Sequence, residues 1–327
     1  MRVYFEADSD SALLLEKPVA IIGYGNQGRA QALNLRDSGA SVVVALPADS
    51  KSRPRALEDG FDVMTSSEAA ARSAVVVMLA ADEDQARIYG EDIAPHLAEG
   101  GVLLFAHGLN IHFNLILPRP DLDVVLVAPK GPGTALRTQY EKGGGLIALF
   151  AVAQDASGQA EALALSYGAA LGSGRAGMLK TSFAEECEAD LFNEQAVLWG
   201  TIPELIHAGY ETLVEAGFSP EIAYFECLTE VKLIADLIYE RGIAGMREAI
   251  SNTAEFAALK GGSRIIGQDT RTEMRRILRE VRSGSLVREL MDDAKSGYPR
   301  LKASRAKAAA HPIEQVGRGL RALKPDD

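Results

Sequence analysis

Along the first part of the chain, apolar residues come in short unbroken runs: Val19-Ala20-Ile21-Ile22, Val42-Val43-Val44-Ala45-Leu46, Ala74-Val75-Val76-Val77-Met78-Leu79, Val102-Leu103-Leu104-Phe105, Val124-Val125-Leu126-Val127-Ala128 and Leu146-Ile147-Ala148-Leu149-Phe150. Runs of strand length with no polar alternation predict strands buried on both faces, as in a parallel sheet covered by helices. Helical spacing fits the intervals near 29–35, 67–73, 83–89, 93–97 and 158–171. Beyond about residue 181 the period changes. Apolar residues recur at helical spacing, predicting helices over 184–200, 202–216, 219–241, 243–258, 270–283, 285–296 and 299–310. Glycine follows the same division, with 19 of 31 glycines in residues 1–180. The expectation is an α/β domain with a mainly parallel sheet over 1–181 and an all-α domain over 182–327. Thr181 or Ser182 is placed to cap the first helix of the second domain, and Lys324-Pro325-Asp326-Asp327 is expected to fray.

The first run ends in Gly23-Tyr24-Gly25-Asn26-Gln27-Gly28 and a helix-forming stretch follows. Strand, glycine turn and helix together suit a dinucleotide: the glycines admit the pyrophosphate, which sits at the positive end of the helix. This makes the α/β half Rossmann-type. After the second run, where an acid would hold the ribose hydroxyls of NAD, the chain reads Pro47-Ala48-Asp49-Ser50-Lys51-Ser52-Arg53-Pro54-Arg55. Its hydroxyls and cations, Ser50, Ser52 and Arg53 foremost, favour a ribose 2′-phosphate and hence NADP, while Asp49 and Pro47 pull toward NADH. His107 and Lys130 each leave the carboxyl end of an expected strand, where ligands bind in such sheets. A structural histidine and a surface lysine are the alternatives.

The helical half carries two acidic pairs at four-residue spacing, Asp190 with Glu194 and Glu226 with Glu230, each on an otherwise apolar helix. Like charges one turn apart repel, and two such pairs call for a counter-charge. A pair of hard divalent cations such as Mg²⁺ supplies it through oxygen ligands; solvated helix faces are the bland alternative. Glu185, Glu186 and Glu188 have no assigned role, and a solvated face accounts for them.

A net charge of −11 argues against nucleic acid or an anionic membrane as partner. The sequence has no apolar stretch long enough to span a bilayer and no signal-peptide core at its start, so a cytoplasmic protein acting on a small molecule is expected. Cys187 and Cys227 lack metal-ligand spacing and read as buried thiols.

Seven stretches, in order, resemble the motifs of short, class I ketol-acid reductoisomerases: Gly23 to Gly28, Phe105 to Phe113, Ala128 to Gly133, Glu188 to Gln195, Ala223 to Leu228, Ile250 to Glu255 and His311 to Gly317. The resemblance covers nearly the whole chain. It implies that Asp190 bridges two Mg²⁺ ions, Glu194 binds one, and Glu226 and Glu230 complete the site. It also implies that Glu230 handles a proton, that His107 and Lys130 line the reacting centre, and that Ser251, with Ile250, Ala254 and Pro132, meets the substrate. Asp82, Gln85, His107 and Gly133 join the glycine turn in holding the cofactor. The implied reaction is Mg²⁺-dependent alkyl migration in 2-acetolactate or 2-aceto-2-hydroxybutyrate and NADPH-dependent reduction, in valine and isoleucine biosynthesis. The implied helical half is knotted and the implied assembly is a homodimer or larger. Several positions depart from the family's pattern: Arg29, Pro47, Ala80-Ala81, Trp199, Thr229 and Phe256-Ala257-Ala258. They leave open a relative that acts on another hydroxy-keto or 2-keto acid, or one that only binds NADP.

Overall fold

A computed structural model describes residues 2–322; the fraying expected at 324–327 lies outside the described residues. The chain forms two compact units that divide between Ala189 and Asp190. The division falls inside the helix Phe183–Ala196, a few residues past the change of period at 181.

In the first unit the apolar runs become strands of one sheet. The strands are β1 (Val3–Tyr4), β2 (Val19–Ile22), β3 (Val42–Ala45), β4 (Val63–Met64), β5 (Val75–Met78), β6 (Val102–Phe105), β7 (Asp123–Pro129), β8 (Ala148–Gln154) and β9 (Met178–Lys180). Every residue of β2, β5, β6 and β7 is buried, the condition under which unbroken apolar runs are stable as strands. Their spatial order is β1-β9-β8-β7-β6-β5-β2-β3-β4. From β4 to β7 the neighbours pair in parallel, whereas β8 runs antiparallel to β7 and β1 antiparallel to β9. The order reverses between β2 and β5, and that reversal opens a crevice at the carboxyl ends of the strands, where the glycine turn lies. Helices cover both faces; among them, Asn26–Asp37 follows the glycine turn and Gly133–Glu141 follows β7.

Three strands escape the sequence pattern. β1, β4 and β9 span only two or three residues each, too few for any period to show. The helix expected over 93–97 is corrected: Asp82–Ile88 runs into a π-helical turn, Tyr89–Ile93, and residues beyond it form turns.

Three buried polar side chains of this unit form a bonded set around the glycine-turn helix. Tyr167, fully buried, donates its hydroxyl to Gln31 Oε1 at 2.7 Å, and Gln31, also fully buried, donates to Gln27 at 3.1 Å. Asn34 donates to the Leu171 carbonyl at 3.0 Å. These bonds fix the glycine-turn helix against the helix Ala160–Ala170.

The helical unit has a small core of Tyr210, Ala223, Tyr224 and Ile313, with Leu213, Leu228 and Val316 packed against it. Its helices are Thr201–Glu215, Pro220–Tyr224, Glu230–Ala249, Asn252–Ile265, Gln268–Arg282, Ser285–Lys295, Pro299–Ala310 and Pro312–Arg321. The helix expected over 219–241 is interrupted by a π-helical turn at Phe225–Thr229, and Gly242, at φ 69°, breaks it again near the expected end. The helix expected over 243–258 is also corrected, because the chain stays helical to Ala249 and restarts at Asn252 with Ser251 as its cap. Many large apolar side chains of this unit face outward, including Trp199, Leu233, Tyr239, Phe256 and Leu259. Among the described residues no helix is long and apolar enough to cross a membrane.

Replacing Tyr167 by Phe leaves buried Gln31 without its donor, which costs about 1–2 kcal/mol. Thermal unfolding followed by circular dichroism is expected to show a melting temperature roughly 2–5 °C lower; an unchanged value contradicts the structural role of this bond.

Candidate active site

The glycine turn is built for close approach. Gly23 adopts φ +100°, and a Cβ there would lie 2.6 Å from the Leu79 carbonyl oxygen; at Gly28 it would lie 2.3 Å from the Gly23 oxygen. Only glycine lets β2, its turn and the following helix meet so tightly. Gly25, by contrast, has open space where a side chain would be, so its backbone is accessible to a ligand. Gly133 brings a second helix N-terminus to the same place, since a Cβ on it would sit 2.1 Å from the Asn26 oxygen. Gln27 ties the two together by donating to the Gly131 carbonyl at 2.9 Å. Two helix starts facing one cleft fit a diphosphate.

Around them lies a cavity of about 440 Å³ lined by Tyr24, Gly25, Asn26, Arg29, Lys51, Ser52, Arg55, Gly133, Thr134 and Arg137. The side chains of Lys51 and Arg55 make no hydrogen bond or ion pair among the described residues. Arg137 is held by Asn34, Asp37 and Glu141, and Arg29 by Asp59. Arg53 does not line this cavity. Its guanidinium donates to the Val63 carbonyl at 3.2 Å and lines a separate cavity of about 580 Å³ beside β4. Ser50 also lies outside the lining, and its hydroxyl accepts from the Ser52 backbone. The polar end of the loop is therefore Lys51, Ser52 and Arg55.

A second group of candidate side chains collects where β5, β6 and β7 end. His107 Nδ1 lies 3.3 Å from Asp82 Oδ2, and Asp82 begins the helix after β5. Burial opposes a charge on His107, but Asp82, the Cys187 thiol and Glu186 outweigh it and hold its pKa well above the ordinary imidazole value. Burial pushes the Cys187 thiol up. Asn110 bridges the Asp82 carbonyl and Gln85 at 3.0 and 3.1 Å, and Gln85 in turn donates to the Ala80 carbonyl, so Gln85 is buried and internally bonded.

Glu186 corrects the reading of a solvated acidic face. Its carboxylate is 1% exposed; Oε2 accepts from the Gly108 backbone N–H at 2.9 Å and Oε1 lies 3.3 Å from Lys130 Nζ. An unpaired carboxylate at that depth would cost several kcal/mol, and these two donors offset it. Gly108 is required as well, because a Cβ there would reach 2.5 Å from the Phe183 oxygen. Glu188 is also partly buried, 3.3 Å from His112 Nε2. Glu185 alone is exposed; it receives the Thr181 hydroxyl at 2.7 Å, while Ser182 caps its backbone N–H at 3.1 Å, as the sequence led us to expect.

The same helix continues to Asp190 and Glu194, which spacing places on the face carrying Glu186. Glu226 lies in the π-helical turn Phe225–Thr229 and Glu230 begins the next helix; both are exposed. Among the described residues these four carboxylates do not converge into a cluster within one chain. The donor set itself, all carboxylate oxygen, suits Mg²⁺. Ser251 caps the helix Asn252–Ile265 by accepting from Ala254 N–H at 3.2 Å, with Ile250 just before it. Cys187 is buried and Cys227 only half-buried, and both are free thiols.

Comparison with known proteins accounts for this combination. The acetohydroxy acid isomeroreductase NADPH-binding domain family matches residues 13–177, and the ketol-acid reductoisomerase C-terminal domain family matches residues 183–326. The chain belongs to the ketol-acid reductoisomerase family. An NADH-preferring ketol-acid reductoisomerase from an uncultured archean is 44% identical over the whole of both chains, with a TM-score of 0.96. More distant structures share the fold alone. A putative oxidoreductase from Jannaschia sp. CCS1 is 18% identical over 81% of this chain and 97% of its own, with a TM-score of 0.59. A semialdehyde dehydrogenase NAD-binding protein from Cupriavidus necator is 17% identical over 82% and 99%, with a TM-score of 0.61. As a ketol-acid reductoisomerase family member, the chain is an NAD(P)-dependent oxidoreductase with a Rossmann-type domain and a helical domain.

Lys130→Met is expected to strand the Glu186 carboxylate and to destabilise the protein by about 2–3 kcal/mol, below the full effect of a buried pair because the lysine is partly exposed. Urea denaturation in metal-free buffer measures it. Glu186→Gln in the same chain should recover part of the loss, and strict additivity of the two substitutions contradicts the pairing.

Proposed function

We propose that this chain converts 2-acetolactate and 2-aceto-2-hydroxybutyrate to 2,3-dihydroxy-3-methyl acids, the step expected in valine and isoleucine biosynthesis in the cytoplasm. The observation that carries this reading is the pairing of a nucleotide-cradling glycine turn with oxygen-only acidic pairs on helices, in a chain belonging to this family. In the reaction the tertiary hydroxyl loses its proton, the alkyl group moves with its bonding pair to the neighbouring ketone carbon, and the resulting 2-keto acid is reduced.

Asp190, Glu194, Glu226 and Glu230 would hold two Mg²⁺ ions. The chemistry such ions supply when bound is stabilisation of negative charge on both substrate oxygens during the shift. Glu230 would also handle the hydroxyl proton, the role the family resemblance implies. His107, whose pKa is held up against burial by Asp82, and Lys130, anchored on Glu186, are the groups proposed to face developing oxyanions. Ser251 and the N-terminal N–H groups of the helix Asn252–Ile265 suit the substrate carboxylate, flanked by Ile250, Ala254 and Pro132.

The nicotinamide cofactor supplies the hydride. NADPH is the first reading, with Lys51, Ser52 and Arg55 around its 2′-phosphate. NADH is the second, favoured by Pro47 at the strand end, by the engagement of Arg53 with Val63 and by the 44% identity to an NADH-preferring enzyme.

The working form in this reading is a homodimer or a larger homo-oligomer. Two features support it: Glu226 and Glu230 are exposed apart from Asp190 and Glu194 in one chain, and the same unit leaves Trp199, Leu233, Tyr239 and Phe256 bare. A second copy brings the acidic pairs together and covers apolar surface.

Purified protein given 2-acetolactate, NADPH and Mg²⁺ is expected to oxidise the cofactor, and chelation of divalent metal should abolish turnover. Activity indifferent to chelation contradicts the two-cation account. Reduction of a simple 2-keto acid with no turnover of 2-acetolactate points instead to a relative with a different substrate.

A further inference from the structure

Asp59 lies outside every motif and behind the nucleotide cavity. It ends the helix Arg53–Glu58, which carries Arg55 and follows Lys51 and Ser52. Its carboxylate reaches back to the glycine turn: Arg29 donates through Nε and Nη2 at 2.6 and 2.9 Å, one bond to each oxygen, and the Tyr24 hydroxyl donates at 2.8 Å. Asp59 and Arg29 are only 17% and 34% exposed. This fork-to-fork pairing fixes the direction of the guanidinium and makes the Arg29–Asp59 pair neutral overall. Arg29 lines the cavity on the first turn of the glycine-turn helix, facing Lys51, Ser52 and Arg55. As the fourth cation of the cavity, Arg137 is already held by Asp37 and Glu141. Arg29 is thus a cation beside the ribose end of the cavity whose charge is cancelled by one carboxylate thirty residues away in sequence.

We propose that Asp59 is a specificity-determining residue for the cofactor. By holding Arg29 as a neutral pair, it lowers the positive potential where a ribose 2′-phosphate would sit, and so moves preference toward the nucleotide without that phosphate. Tyr24 fixes the carboxylate in place. The inference rests on the reading of this cavity as the NAD(P)H site, and it makes Asp59 a positioning residue that acts through Arg29.

The test is the ratio of NADPH to NADH dissociation constants, measured by nucleotide fluorescence on the full chain. Asp59→Asn frees the Arg29 charge and should shift the ratio toward NADPH by roughly five- to tenfold. Arg29→Gln leaves the acid unbalanced and should shift it the other way. The double variant Asp59→Asn with Arg29→Gln restores a neutral pair and should return near the original ratio. A structural role alone weakens both nucleotides equally and leaves the ratio unmoved in every variant, which overturns the proposal. If Asp59→Asn fails to fold, Arg29→Gln still decides, because an unmoved or NADPH-favouring ratio contradicts the proposal. Failure of the starting protein to bind either nucleotide refutes the cavity assignment, whereas binding of both with no change in ratio refutes only the role of Asp59.

Discussion

One buried carboxylate constrains the reacting end of the sheet. Glu186 sits almost fully out of water, and its charge is tolerable only because the Gly108 N–H and the Lys130 ammonium meet it. Those two donors belong to the loops after β6 and β7. The same carboxylate therefore locks both loops to the start of the helix Phe183–Ala196, and with them His107. The glycine at 108 follows from the same demand, because the loop passes too close to Phe183 for any side chain. If His107 and Lys130 act as proposed, one internal charge that holds both to well-defined positions is the preorganisation that electrostatic catalysis requires.

From that anchor the acidic helix continues through the boundary into the helical unit. The contrast between the units is physical. The first buries its apolar runs on both faces and hydrogen-bonds Tyr167, Gln31 and Asn34 within its interior. The second has a small core, leaves several large apolar side chains exposed and presents Glu226 and Glu230 to the outside. A surface that is both apolar and acidic fits the proposed assembly of two copies around bound cations.

Much of this was legible in the amino-acid order. Unbroken apolar runs located the long strands because burial on both faces removes polar alternation, and the glycine turn located the nucleotide crevice because its spacing reflects close backbone contact. Short edge strands left no trace, since two or three residues cannot display a period. The π-helical turns at Tyr89–Ile93 and Phe225–Thr229 differ from an α-helix by one residue in the hydrogen-bond ladder, which the apolar spacing does not resolve. Glu186 read as solvated because its neighbours are acidic; its true partners, Gly108 and Lys130, are distant in sequence. Asp59 was invisible for the same reason. Arg53 looked like a phosphate ligand by composition, yet the helix that begins at it turns its guanidinium to Val63 and leaves Lys51 and Arg55 at the cavity.

The central proposal is that the acidic pairs work together across two copies of the chain. Coexpressing an Asp190→Asn chain and a Glu226→Gln chain with different tags, and purifying the mixed dimer, tests it directly. Each variant alone should be inactive with 2-acetolactate, while the mixed dimer should contain one site with every carboxylate intact and recover about half of the original activity. A mixed dimer as inactive as its parents would contradict the account, because it would mean that each chain must supply all four carboxylates itself.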